Sequence, residues 1–443
     1  MKSNQLFATK GATALMLVWS LLAPSSSALA QGLPTATPEA VGMSPIKLQA
    51  LKATLQTEVD QGKFPGAVVM IARNGKLVFS EVVGQQDKVA GKPLTKDAIF
   101  RIYSMTKPLA SVAAMMLVED GKIQLTDPIS KFLPEFTKMG VSVVQTDASG
   151  SKTYTIVPAA KAITVQDLLR HTSGLVYGEL TGNPVIRQAY IDAGVYQIGG
   201  TDYDHRKVTP AQEVTGIAKS PLSTQPGSTW EYSMSVDILG RVVEAASGKL
   251  LGVFLDDRLF KPLKMVDTGF QIPQKNLARM AQPLVVDPAT GLPNKLMDVT
   301  IDPGNASGGA GGVSTAADYL RFAVMMQRGG ELDGQRILSP TTVSLMTSDH
   351  LGSKVVASPG PGELLMGVPG YTFGLGFMVR QGPGIAGVPG SEGEYMWAGA
   401  AGTFFWVDPK QNLAVVMMMQ SPGPSRPGYR RMIKQLVYAA IEK

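Results

Sequence analysis

The stretch Arg101-Ile102-Tyr103-Ser104-Met105-Thr106-Lys107 places a serine, and three residues on a lysine, where an extended run turns into a helix. Leu109, Val112, Ala113, Met116 and Leu117 recur at helical spacing, Pro108 falls in the first turn, and Gly121 marks the end. With Ser104 at the N-cap, Ser104 and Lys107 share one side of the first turn. The partial positive charge of a helix N-terminus disfavours an ammonium and favours an alkoxide. A neutral lysine beside a serine hydroxyl can then act as base and nucleophile without histidine.

The spacing S-x-x-K alone is weak evidence, since it also occurs at Ser44/Lys47 and Ser149/Lys152. Context separates the three. Ser44 caps an amphipathic helix over 44–61, with Pro45 in its first turn and a stripe of Leu48, Leu51, Leu55 and Val59. Ser149 lies in a polar stretch that reads as a turn. Ser104 alone opens a helix apolar enough to require burial, although a plain N-cap would use the same residue.

Working outward, Ala67-Val68-Val69-Met70-Ile71 and Leu77-Val78-Phe79 flank Asn74-Gly75, which predicts a hairpin with a type I′ turn. Near the other end, Thr403–Val407 and Leu413–Met419 flank Asp408-Pro409, and a helix is expected from about Tyr429. Strands and helices at both ends predict an α+β fold: one antiparallel sheet built from both termini and flanked by helices. The α/β part is expected at about 40–127 and 301–443, around a mainly helical, loop-rich insertion at about 128–300. Thr164-x-x-Asp167 and Thr315-x-x-Asp318 read as capping boxes. The Pro-Gly-rich stretches 357–370 and 381–393 read as ordered loops or surface loops.

Composition narrows the chemistry. The 443 residues include three histidines and no cysteine, which excludes disulfides, thiol nucleophiles and cysteine-ligated zinc. The net charge of +6 is spread along the chain, with no basic cluster to suggest nucleic acid. No Gly-x-Ser-x-Gly elbow is present to support a triad with His171, His205 or His350, and His-Glu-x-x-His is absent. Gly382–Gly387 matches G-x-G-x-x-G but reads as a loop, and no P-loop exists. No metal or organic cofactor is implied.

At the N-terminus, Lys2 and Lys10 precede an apolar run from Ala14 to Ala23, and Ala28-Leu29-Ala30 suits signal peptidase. The run is too short for the about 20 residues a span requires. Residues 1–30 are therefore expected to be an export signal and 31–443 the catalytic domain, periplasmic or secreted, with no stable membrane span after cleavage.

Ser104-Met105-Thr106-Lys107 with Gly121-Lys122-Ile123-Gln124-Leu125-Thr126-Asp127-Pro128 resembles the serine β-lactamase and penicillin-binding superfamily. Leu168–Leu175, Pro226-Gly227, Tyr232-Ser233-Met234 and Gly311–Thr315 agree in order and spacing. The nearest branch is the class C β-lactamase-like group, including the family VIII carboxylesterases. The resemblance implies a β-lactamase/transpeptidase-like fold, Ser104 as nucleophile, and Lys107 and Tyr232 as its proton-handling partners. Met234 stands where β-lactamases carry asparagine. Trp397-Ala398-Gly399 stands in place of Lys-Thr-Gly, so the lysine that recognises a β-lactam carboxylate is missing. The N–H groups of Ser104 and Ala400 would form the oxyanion hole. Implied is a serine hydrolase of small short-chain esters; a weak β-lactamase or D-amino-acid peptidase, or a non-turnover penicillin-binding or sensor protein, stays open.

Overall fold

The computed structural model describes residues 32–199 and 208–443; the expected export signal and His205 lie outside them. Residues 33–443 form one compact unit. Its main sheet contains β1 (Gly66–Arg73), β2 (Lys76–Asp87), β3 (Lys92–Pro93), β4 (Tyr371–Phe373), β5 (Met378–Arg380), β6 (Tyr395–Ala398), β7 (Phe404–Asp408) and β8 (Leu413–Met419). The spatial order is β4-β5-β6-β7-β8-β1-β2-β3, antiparallel throughout. The early hairpin and the late meander meet at β1 and β8, in register from Ala67↔Met419 to Arg73↔Leu413. Asn74 and Gly75, at φ 53° and 71°, make the expected turn.

Every residue of β1 and β8 is buried, on both faces of the sheet. Such strands read as continuous apolar runs because helices cover both sides. The long helices are α1 (Pro45–Asp60), α2 (Thr106–Glu119), α3 (Ser235–Ser247), α4 (Ala316–Gln327) and α5 (Arg426–Ala439). α4 packs on β1, β7 and β8, while α1 packs on β2 and α5. α5 begins three residues before the expected Tyr429, with Pro427 in its first turn.

A buried charge cluster ties α5 to the sheet. Glu394, just before β6, accepts from Lys434 Nζ at 2.7 Å and Arg380 Nη1 at 3.3 Å, and all three side chains are fully buried. Tyr438 Oη adds a bond to Glu394 at 2.7 Å.

Between the two parts of the sheet lie α3 and the short helices Val165–Leu169, Pro184–Asp192 and Pro210–Ala218. The stretch also holds an unexpected hairpin, Gly140–Thr146 paired with Lys152–Pro158. Ser149 sits in its turn, where the Asp147 carboxylate accepts the N–H groups of Ser149 and Ser151. Thr164 and Asp167 complete a capping box. Thr315 caps α4, but Asp318 turns away from it to accept from the Asp267 N–H at 2.7 Å and Thr268 Oγ1 at 3.0 Å.

Candidate active site

Ser104 is not the helix N-cap. It occupies the middle of a 3₁₀ turn, Tyr103–Met105, and α2 starts at Thr106. Tyr103 holds the turn in the left-handed region at φ 42°, a strained conformation for a bulky residue. Its carbonyl accepts from Thr106 Oγ1 at 2.6 Å, and its phenol oxygen accepts from the Met297 N–H at 2.8 Å. Strain of this kind persists only where neighbours over-determine the backbone, and here it sits beside the serine.

Three residues expected to work together are brought together. Tyr232 Oη lies 2.7 Å from Ser104 Oγ. Lys107 Nζ lies 3.5 Å from the same oxygen, 2.8 Å from the Gly309 carbonyl and 2.8 Å from Tyr177 Oη. Lys107 is buried, and its Nζ also faces the Tyr232 ring at 4.8 Å from the centroid. The nearer hydrogen-bond partner of the nucleophile is therefore the tyrosine, with the lysine farther off at 3.5 Å. The Gly309 carbonyl is itself fixed: its N–H donates to Asp237 Oδ1 at 3.0 Å, and Ser307 Oγ donates to the same oxygen.

The facing strand end passes close to the nucleophile turn. A Cβ on Gly399 would stand 2.3 Å from the Ile102 carbonyl oxygen, so only glycine permits this approach. Among the described residues, the N–H groups of Ser104 and Ala400 have no backbone acceptor. Ser104, Tyr177, Tyr232, Trp397, Ala398, Gly399 and Ala400 line one cleft of about 220 Å³, with Leu180, Leu364, Leu365 and Pro427. Hollows of about 610 and 590 Å³ lie elsewhere, and none of these residues lines them. Leu364 and Leu365 come from the helix Pro361–Met366, which places the Pro-Gly-rich stretch 357–370 at the site.

Trp397 is almost wholly buried, with its ring 5.4 Å from that of Tyr232 and 5.3 Å from that of Phe373. It forms an apolar wall of the cleft. Met234 does not line the cleft: it sits at the N-cap of α3, where the chain has turned inward, and its side chain is fully buried in the core.

His171 lies behind Tyr232, ring centroids 5.0 Å apart, with Nδ1 3.2 Å from Ser233 Oγ. Burial, and then the nearby Lys107, push its pKa well below the usual imidazole range, so it is neutral at physiological pH. It does not touch Ser104. His350 binds the Leu345 carbonyl and Gln166, outside the cleft.

Sequence reasoning missed Tyr177, Arg426 and Arg430. The last two lie one turn apart on α5 and line the cleft. The strand carries Trp397 in place of the lysine of Lys-Thr-Gly, but arginines from α5 reach the site. Arg426 Nη1 donates to the Ala400 carbonyl at 2.8 Å, and Arg430 Nη2 to the Gly399 carbonyl at 3.2 Å. No sequence signal singled them out, because a helix near the chain end reads as a cover for the sheet.

Known proteins match this arrangement over nearly the whole chain. The Beta-lactamase family profile matches residues 51–439. Protein Rv1367c of Mycobacterium tuberculosis is 35% identical over 383 residues, covering 85% of this chain and 90% of that protein. Esterase EstB of Burkholderia gladioli is 30% identical over 402 residues, covering 86% and 92%. Among solved structures, EstCE1, described as a hydrolase with promiscuous acyltransferase activity, is 27% identical with a TM-score of 0.71, covering 89% of this chain and 99% of that one. Fold, sequence and the serine–lysine–tyrosine cluster agree: this chain belongs to the beta-lactamase family.

Proposed function

We propose that this chain is a serine hydrolase that cleaves short-chain carboxylic esters through an acyl-enzyme. The carrying observation is the 2.7 Å contact between Ser104 Oγ and Tyr232 Oη at a compact cleft, whose lining joins apolar side chains to Glu179, Arg426 and Arg430. Ser104 Oγ attacks the ester carbonyl carbon while its proton passes to the oxygen of Tyr232, which acts as a phenolate and becomes a neutral phenol. Lys107 offers positive charge to this pair, and the N–H groups of Ser104 and Ala400 receive the oxyanion. As the C–O bond breaks, Tyr232 returns the proton to the leaving alcohol. Water, or a second alcohol, then attacks the acyl-enzyme and frees Ser104. The relatives named as esterase, or as a hydrolase with acyltransferase activity, support both releases.

Two features favour short neutral esters over β-lactams and peptides. The cleft, at about 220 Å³, falls below the roughly 300–1,000 Å³ of pockets that enclose larger ligands. Trp397 replaces the strand lysine, so a substrate carboxylate must lose hydration without that ammonium. Arg426 and Arg430 already spend N–H groups on carbonyls of the protein.

The test is a p-nitrophenyl ester chain-length series beside a cephalosporin and a D-Ala-D-Ala peptide. Acetate or butyrate should exceed the cephalosporin in kcat/KM by at least about 10²-fold, or about 2.7 kcal/mol of transition-state preference. Ser104→Ala should abolish ester turnover with the fold intact. Equal rates for cephalosporin and short esters would overturn the ester reading. Stable acylation of Ser104 without release would instead favour a sensor. For the proposed export of residues 1–30, N-terminal sequencing of the secreted or periplasmic protein should begin at Gln31; an uncleaved cytoplasmic chain would refute it.

A further inference from the structure

Arg430 poses an energetic problem. Its side chain is buried, with 4% of its surface exposed, and among the described residues its Nε has no partner. Its bonds run to neutral oxygens, Nη1 to the Leu365 carbonyl at 2.7 Å and Nη2 to the Gly399 carbonyl at 3.2 Å. The titratable groups acting on it are Arg426, a like charge, and Tyr232. Burial and Arg426 lower its pKa to about 9, which leaves it a cation at neutral pH. Glu179 lines the same cleft, but among the described residues no carboxylate is bonded to Arg430, and a buried cation so placed costs stability in the resting protein. Such a cost is sustained where negative charge arrives during the reaction.

We infer that Arg430 is a positioning residue of the oxyanion hole: its guanidinium grips the Gly399 carbonyl and thereby orients and polarises the N–H of Ala400. The inference rests on the proposed role of Ala400. The Gly399 carbonyl and the Ala400 N–H belong to one planar peptide unit, so a bond that fixes the oxygen also fixes the direction of the hydrogen. A charged donor on the oxygen draws electron density along the unit and strengthens the N–H as a donor. Arg426 binds the next carbonyl, that of Ala400 itself, at 2.8 Å, so α5 holds both peptides that flank the Ala400 α-carbon. The benefit grows as the carbonyl oxygen of the substrate becomes anionic, and so falls on the transition state more than on the bound ester.

Arg430→Met, Arg430→Gln and Arg430→Lys, each checked for native circular dichroism and melting, test this. In a folded Met or Gln variant kcat for p-nitrophenyl butyrate should fall about 10- to 100-fold, below the cost of deleting an oxyanion donor outright. KM should stay within about 3-fold. Affinity for a small arylboronic acid, which forms a tetrahedral anion on the serine, should fall by the same factor as kcat/KM. Arg430→Lys, which keeps the charge and loses the fork, should fall between wild type and Met. A folded Met or Gln variant with wild-type kcat, or a kcat loss without loss of boronate affinity, would overturn the inference. Failure of all three variants to fold would also overturn it, making the guanidinium a structural brace. If Ser104→Ala still turned over esters, or the boronate did not inhibit the wild type, the underlying reading would fail first.

Discussion

The phenol oxygen of Tyr232 stands 2.7 Å from Ser104 Oγ, closer than the 3.5 Å of the lysine that shares the serine's helical turn. Tyr232→Phe should therefore lower kcat by about 10²-fold or more, the usual loss for a general acid–base group, and Lys107→Ala should do likewise. His171→Gln should not, provided it folds, because its ring backs Tyr232 without reaching the nucleophile. Steady-state assays on variants of matched melting temperature decide the matter. A folded, inactive His171→Gln would point to a histidine-dependent route.

Tyr177 gives a milder test. Its hydroxyl is 2.8 Å from Lys107 Nζ. A lost hydrogen bond to a charged group is worth about 1.5–3 kcal/mol, so Tyr177→Phe should lower kcat by about 10-fold or more. The loss should remain smaller than that of Lys107→Ala. Activity at the wild-type level would show that Gly309 alone suffices to hold the lysine.

Two glutamates two residues apart should behave oppositely. Glu394→Gln strands the buried Arg380 and Lys434 without their shared carboxylate, a change that costs about 3–5 kcal/mol. Glu392 pairs with Lys410 at 3.3 Å in solvent, and Glu392→Gln should change stability by less than about 1 kcal/mol. Urea unfolding of both variants provides the comparison.

Asp318 predicts a pH dependence of stability. Burial, more than any other influence, raises its pKa to about 6 despite its two hydrogen bonds. The folded chain thus holds this proton more tightly than the unfolded chain, where an aspartate titrates near 3.9. The contribution is present in full below about pH 4 and is lost as pH rises through about 6, amounting to about 3 kcal/mol. Asp318→Asn should flatten that part of the profile when unfolding free energy is measured from pH 4 to 7.5. An unchanged slope would show that the carboxyl is ionised throughout.

The sheet was legible because its signals are local: apolar runs of the right length, Asn74-Gly75 between two of them, and Asp408-Pro409 between two more. The serine and lysine were legible because their three-residue spacing stands at the start of a strongly apolar helix. Tyr232 and Trp397 entered through family resemblance alone, since nothing local marks a tyrosine or tryptophan as catalytic. The hairpin Gly140–Pro158 escaped because its strands mix apolar with polar residues and are in large part exposed, so no continuous apolar run marked them. The 3₁₀ turn at Ser104 also escaped, for its strain is set by Met297 and Thr106, one of them far away in sequence. Arg430 was invisible for a related reason, because its partners Leu365 and Gly399 come from other parts of the chain.

The pairing of β1 with β8 also sets an order of events in time. Gly66–Arg73 must wait for Leu413–Met419 before its outer edge is closed, and so distant a contact slows folding because a very long loop must be drawn in first. A nascent chain carries its nucleophile turn some 300 residues before it carries Ala400, the strand end that faces it. Until then the chain has a reactive serine with half a cradle and an unpaired, strongly apolar strand, a state that invites aggregation. Folding yield should therefore respond to synthesis rate and to holding chaperones far more than catalytic activity does once the sheet has closed.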